Sequence, residues 1–149
     1  ENYRIPLLLF SSKGRGREIA NLATSTQFIP TVLDFLGLLS GDALVSDNSA
    51  LRTDRDFVIF EYFGPGCPDY TRKPRLFCLR TRRYKIHYLW NSHLPNGGGE
   101  VTAIYDLARD PLEICNVKQE LIHHSEICYL VDALDYSIRT RFIQKHPVM

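Results

Sequence analysis

The chain has 149 residues, 44% apolar and 23% charged, which suits one compact core and excludes a disordered polyelectrolyte. Its formal net charge of +1 excludes a polyanion binder acting by overall charge. No stretch is long and apolar enough to cross a bilayer.

Residues 7–10 (LLLF) extend an apolar run from Ile5, the pattern of a strand buried on both faces. Glu1 runs almost directly into that pattern with no initiator methionine, so a piece of a longer protein is expected. Residues 11–17 (SSKGRGR) form a polar loop that lacks the GxxxxGK(S/T) spacing of a phosphate cradle. Thr24, Ser25 and Thr26 offer capping hydroxyls, and Pro30 falls early enough for its missing N–H to cost little. Phe28, Ile29, Val32, Leu33 and Leu36 then recur at helical spacing, and Gly37 supplies a stop. A helix is predicted over residues 26–36, followed by a polar surface loop over 41–56.

Residues 57–63 (FVIFEYF) read as a strand and 64–74 (GPGCPDYTRKP) as a loop rich in breakers. Residues 76–80 and 84–90 read as a hairpin turning at 81–83, and NGGG at 96–99 as a turn before a strand over 101–105. Four strands with short connections favour an antiparallel meander, ended by Asp110-Pro111. A helix is expected over about 119–145, with Ile127, Val131, Leu134, Ile138 and Phe142 packed on one face of the sheet.

Seven basic residues and no acid lie between Arg72 and Lys85: Arg72, Lys73, Arg75, Arg80, Arg82, Arg83 and Lys85. They suit the solvated face of a strand pair or, alternatively, a collar for an anionic substrate. Tyr70, Phe77 and Tyr84 are interleaved with them, but no nucleic-acid-binding motif is present. The cysteines Cys67, Cys78, Cys115 and Cys128 form no CxxC pair, so a structural zinc site is not expected. Cys78 and Cys128 sit in apolar contexts and read as buried thiols. Arg72 near Cys67 could lower that thiol's pKa, but no histidine neighbours it to complete a nucleophilic site. His87, His93, His123, His124 and His146 form neither HxxxH nor HExxH. His87 reads as a sheet residue, His93 as a loop residue beside the basic run, and one of His123 and His124 as solvent-facing. Asp106, Asp110 and Glu113 (YDLARDPLE) suit turn hydrogen bonds better than an ion cage.

Three segments together resemble the sulfatase family. ENYRIPLLLF at 1–10 is similar to its E-x-x-R-(I/V)-P-L strand entry, and TQFIPTVLDFLGL at 26–38 to its D-(L/I)-x-P-T-(L/V)-L-D-x-x-G helix. LRTRRYKIHYL at 79–89 and AIYDLARDPLEICNV at 103–117 resemble its R-T-x-R-Y-K stretch and its L-Y-D-L-x-x-D-P-x-E-x-x-N-L ending. The resemblance implies an α/β chain: residues 1–50 as the terminal strand and helix of an alkaline-phosphatase-like α/β domain, and 51–149 as a C-terminal four-stranded antiparallel sheet with a packed helix. It implies a sulfuric ester hydrolase acting on an aryl or carbohydrate sulfate, with calcium in the full-length enzyme and the catalytic domain N-terminal to this chain. CPDYTR does not match the family's C-x-P-(S/A)-R nucleophile motif, and no metal ligand carries over, so the chain alone is expected to be inactive. For the loop after the EY strand the resemblance implies substrate contacts from Tyr62, Arg72 and Lys73, and His93, beside the basic run, is a further candidate. The alternatives are a phosphonate or phosphate ester hydrolase of the same superfamily and a non-catalytic module for anionic glycans.

Overall fold

The computed structural model describes residues 8–10, 19, 21–38, 48–62, 75–91 and 98–140. The chain divides into two compact units, Glu1–Asp56 and Phe57–Met149.

In the first unit a 3-10 turn at Ser25–Gln27 leads into α1, Phe28–Phe35. Thr24 opens the turn with a capping box, its backbone N–H donating to Gln27 Oε1 at 2.9 Å. Gly37 ends the helix at φ +69°, the left-handed conformation glycine adopts most cheaply. The helix is thus shorter than the predicted 26–36 and starts through a tighter turn. Its burial also reverses the expectation. Phe28, Ile29 and Leu36 are exposed, whereas Gln27, Thr31 and Ser49 are buried. The cause is polar docking of the 48–53 segment. Thr31 Oγ1 donates to Gln27 O at 2.6 Å and accepts from Ala50 N at 2.9 Å. Asn21 donates to Ala50 O at 3.2 Å, and Arg52 pairs with Asp34. Ser49 is therefore buried where a surface loop was expected. Leu8 and Phe10 are 73% and 87% exposed, and residues 8–10 form no strand, against the buried strand predicted there. A continuous apolar run becomes a buried strand only with neighbours on both faces; residues 5–7 of the predicted run lie outside the described residues.

The second unit is a four-stranded antiparallel meander in the order β1-β2-β3-β4, as the short connections predicted. The strands are β1 Val58–Tyr62, β2 Arg75–Arg80, β3 Tyr84–Asn91 and β4 Gly98–Asp106. Thr81 builds the β2–β3 turn. Its N–H donates to Tyr84 O at 2.8 Å, and its hydroxyl accepts from Tyr84 N at 2.7 Å and Arg83 N at 3.1 Å. β4 starts earlier than the NGGG turn suggested, because Gly98 and Gly99 pair with Asn91 and Trp90. Gly99 is required there: a Cβ would lie 2.5 Å from a Tyr88 ring carbon and 2.6 Å from Leu89 O. A register shift between His87 and Tyr88 accompanies this crossing.

The final helical region is broken. A short α2, Lys118–Leu121, is separated by the extended residue His124 from α3, Ser125–Ile138. Ile127, Leu130, Leu134 and Ile138 of α3 are buried at spacings of three and four, against Phe77, Leu79, Ile86, Tyr88, Trp90 and Ile104 of the sheet. Leu130 joins the predicted stripe, Val131 only flanks it, and Phe142 lies outside the described residues. Each fully buried large side chain contributes roughly 1.5–3 kcal/mol. Cys128 is exposed, contrary to expectation, because it sits one residue round the helix from Ile127.

Candidate functional site

In a meander, alternate connections leave by the same end. β1 rises to Tyr62 and β2 descends from Arg75, while β3 rises to Asn91 and β4 descends from Gly98. Segments 63–74 and 92–97 therefore both depart from one end of the sheet. Arg72, Lys73 and His93 fall in those segments, outside the described residues, as does Cys67. Tyr62 is the last residue of β1 and pairs with Leu76. Of the four sequence-derived candidates only Tyr62 is therefore among the described residues, at that sheet end.

The described residues at that end carry an arrangement that no local motif signals. Arg75 lies directly across from Trp90, so their side chains share a face. Glu61 pairs with Phe77, two residues beyond Arg75, and so joins the same face. Its carboxylate accepts from Arg75 at 3.2 Å, with both side chains largely buried at 13% and 15% exposure. Burial pushes the Glu61 carboxyl above its usual range, although the charge and hydrogen bond of Arg75 pull it down. The indole N–H of Trp90 is buried with no hydrogen-bond partner among the described residues.

The described part of the basic run is only partly a solvated face: Arg82 and Arg83 are exposed, whereas Arg75, Arg80 and Lys85 are drawn into ion pairs. Lys85 retains 2% exposure and pairs with Glu113, which also lies 3.8 Å from Arg80. Burial raises the Glu113 carboxyl, but the Lys85 hydrogen bond and charge outweigh it, so its pKa is lowered. Arg83 donates to Asp106 at 3.1 Å and lies over the Tyr84 ring at 4.8 Å. That hydrogen bond holds the Asp106 carboxyl below its usual range. The acids of YDLARDPLE act as fold ties. Asp106 Oδ1 accepts from Ala108 N at 3.1 Å, and Asp110 from Cys115 N at 2.7 Å. Glu113 sits at φ +60° to reach back to Lys85. Asn116 accepts from Ile104 N at 3.1 Å and donates to Thr102 O at 3.4 Å, while Val117 N donates to Ile104 O at 2.9 Å.

On the sheet face opposite α3, Cys78 lies across from His87. Burial pushes the Cys78 thiol up to about 11, so at neutral pH it is no nucleophile. His87 is a sheet residue, packed edge-on to Tyr105 at 5.5 Å and held neutral by burial and by Lys85. His123 and His124 are both exposed. Among the described residues no group of three His, Cys, Asp or Glu side chains is placed to hold a metal ion.

No family model matches the chain, and no curated protein does. The chain is similar in fold to solved structures that include the following two. One is BT4656 in complex with its substrate D-glucosamine-2-N,6-O-disulfate, at 18% identity and a TM-score of 0.48 over 81% of this chain. The other is a candidate sulfatase from Bacteroides thetaiotaomicron, at 20% identity and a TM-score of 0.48 over 77% of this chain. The chain spans about a quarter of each, 24% of their length.

Proposed function

We propose that this chain is the C-terminal portion of a sulfatase-type hydrolase, with residues 1–50 ending an alkaline-phosphatase-like α/β domain. Its role there is to present substrate-contacting residues rather than to perform the chemistry. One observation carries this reading: the two halves of the sulfatase-like segment interlock. Arg80 and Lys85 from LRTRRYK meet Glu113 from the DPLE turn, and Arg83 meets Asp106. The motif residues are thus the ties of one subdomain, which supports reading them as a single inherited unit.

In this reading Tyr62, Arg72, Lys73 and His93 approach a sulfated sugar or aryl sulfate from the sheet end, their cations and hydrogen bonds matched to an anionic ester. Calcium would serve the full-length enzyme by stabilising charge on the ester oxygens. The described residues do not fit its ligand set. The ion pairing of Arg75, Arg80, Arg83 and Lys85 disfavours the alternative of a free-standing anionic-glycan collar. The test is sulfate release by the full-length protein from glucosamine disulfate and from an aryl sulfate, with and without chelator. Calcium-dependent release supports the reading. Cleavage of phosphate or phosphonate esters alone, or binding of sulfated glycan with no turnover, overturns it.

A further inference from the structure

We propose that Asn116 keeps the chain from pairing edge to edge with a second copy of itself, its side-chain amide taking the place of a neighbouring strand's peptide group. The role is independent of any catalytic function.

The geometry is that of ladder rungs. Ile104 N donates to Asn116 Oδ1 at 3.1 Å, and Asn116 Nδ2 donates to Thr102 O at 3.4 Å. Val117 N adds a third bond, to Ile104 O at 2.9 Å. A strand laid along this stretch of β4 would use the same three main-chain groups. Asn116 Oδ1 also accepts from Lys118 N at 3.0 Å. Two N–H groups thus converge on the side-chain oxygen while a carbonyl receives its nitrogen. A primary amide supplies that acceptor and donor together, as a peptide group does, whereas a carboxylate lacks the donor. The residue is held in place from both sides. Before it, Glu113 turns at φ +60° and pairs with Lys85, bending the chain back along the strand it has just left. After it, Val117, Leu121 and Ile122 pack against the core.

The edge so covered is one that would otherwise recruit a partner. Residues 101–104 (VTAI) are rich in β-branched side chains and carry no charge, which suits them to strand pairing. Two copies of β4 laid antiparallel present the same surface to each other, so association would close at a dimer. Asn116 itself is exposed, so its bonds meet an incoming strand directly.

The test is sedimentation velocity of the whole 149-residue chain over a range of concentrations. Asn116→Ala removes the rungs this side chain supplies and should lower the dimer dissociation constant by at least about tenfold, since each copy no longer gives up these hydrogen bonds on pairing. Adding Thr102→Lys, a charge of the kind that blunts strand edges, should return the variant to the behaviour of wild type. Circular dichroism and melting curves check that each variant is folded. A folded Asn116→Ala chain that associates no more than wild type overturns the proposal. So does association that Thr102→Lys leaves unchanged, because the contact then lies elsewhere. A wild type that already dimerises, and stops doing so on Thr102→Lys alone, overturns it as well. If Asn116→Ala does not fold, amide exchange in wild type decides. The Ile104 N–H should exchange at least about a hundredfold more slowly than in an unstructured peptide, and unprotected exchange overturns the proposal.

Discussion

Removing the Glu113 carboxylate should destabilise the Phe57–Met149 unit more than any comparable surface change. Lys85 keeps 2% of its side-chain exposure, and Glu113 accepts its hydrogen bond. Glu113→Ala leaves the ammonium buried without that partner, and breaking such a pair costs about 3–5 kcal/mol. Loss of the Lys85 proton, or of its contact distance, can offset only part of this. Backbone strain does not change the comparison, because alanine at φ +60° is disfavoured as glutamate is. For a unit of this size each kcal/mol moves the midpoint by about 4–8 °C, so a fall in Tm of at least ~12 °C is expected. The assay is thermal melting and urea denaturation, both followed by fluorescence. The chain has 1 tryptophan, Trp90, and it is buried in this sheet, so the signal reports on this unit. Lys85→Met in the Glu113→Ala background removes the buried charge that Glu113 no longer offsets and should recover most of the stability. A Glu113→Ala variant within about 1 kcal/mol of wild type would refute the argument that this pair is fixed and desolvated.

Acid should destabilise the same unit in two stages. His87 is held neutral in the fold, so stability is complete above about pH 6.5 and falls as pH drops below it, because the unfolded chain then binds the proton. His87→Phe should flatten that stage in urea midpoints measured against pH. Glu113 and Asp106 have lowered folded pKa values, so their contribution is complete above about pH 4.3 and is lost as pH falls through the folded values. Gly99→Ala should cost about 1–3 kcal/mol by driving a methyl into the Tyr88 ring and the Leu89 carbonyl. A variant as stable as wild type in the same melts would show that the strand shifts freely. Iodoacetamide at neutral pH should label Cys115 and Cys128 and spare Cys78, whose buried thiol is raised to about 11. Rapid labelling of Cys78 by peptide mass mapping would contradict the burial of that sheet face.

The sheet was legible because its signals are local. Thr81 with short flanking strands marks the hairpin, and Ile127, Leu134 and Ile138 mark the helix face that meets it. Features set by residues distant in sequence were not legible. Nothing near Lys85 shows that a carboxylate 28 positions later will neutralise it, so a run of like charges read as a solvated surface. Gly98 and Gly99 read as a turn by local chemistry, whereas the Tyr88 ring lying against the strand is what keeps them in β4. The break before α3 occurs at His124 with no Gly or Pro to announce it. Glu61 and Arg75 lie 14 positions apart, and only the strand register brings them together at the sheet end.

The lateral boundary of the meander is asymmetric. On the β4 flank, Asn116 and Val117 occupy the outward-facing amide and carbonyls of Thr102 and Ile104. A passing peptide therefore meets no free main-chain ladder along that stretch. Among the described residues the opposite flank is β1, laddered to β2. A strand added along residues 102–104, whether foreign or from a second copy, would first have to displace Asn116 and Val117.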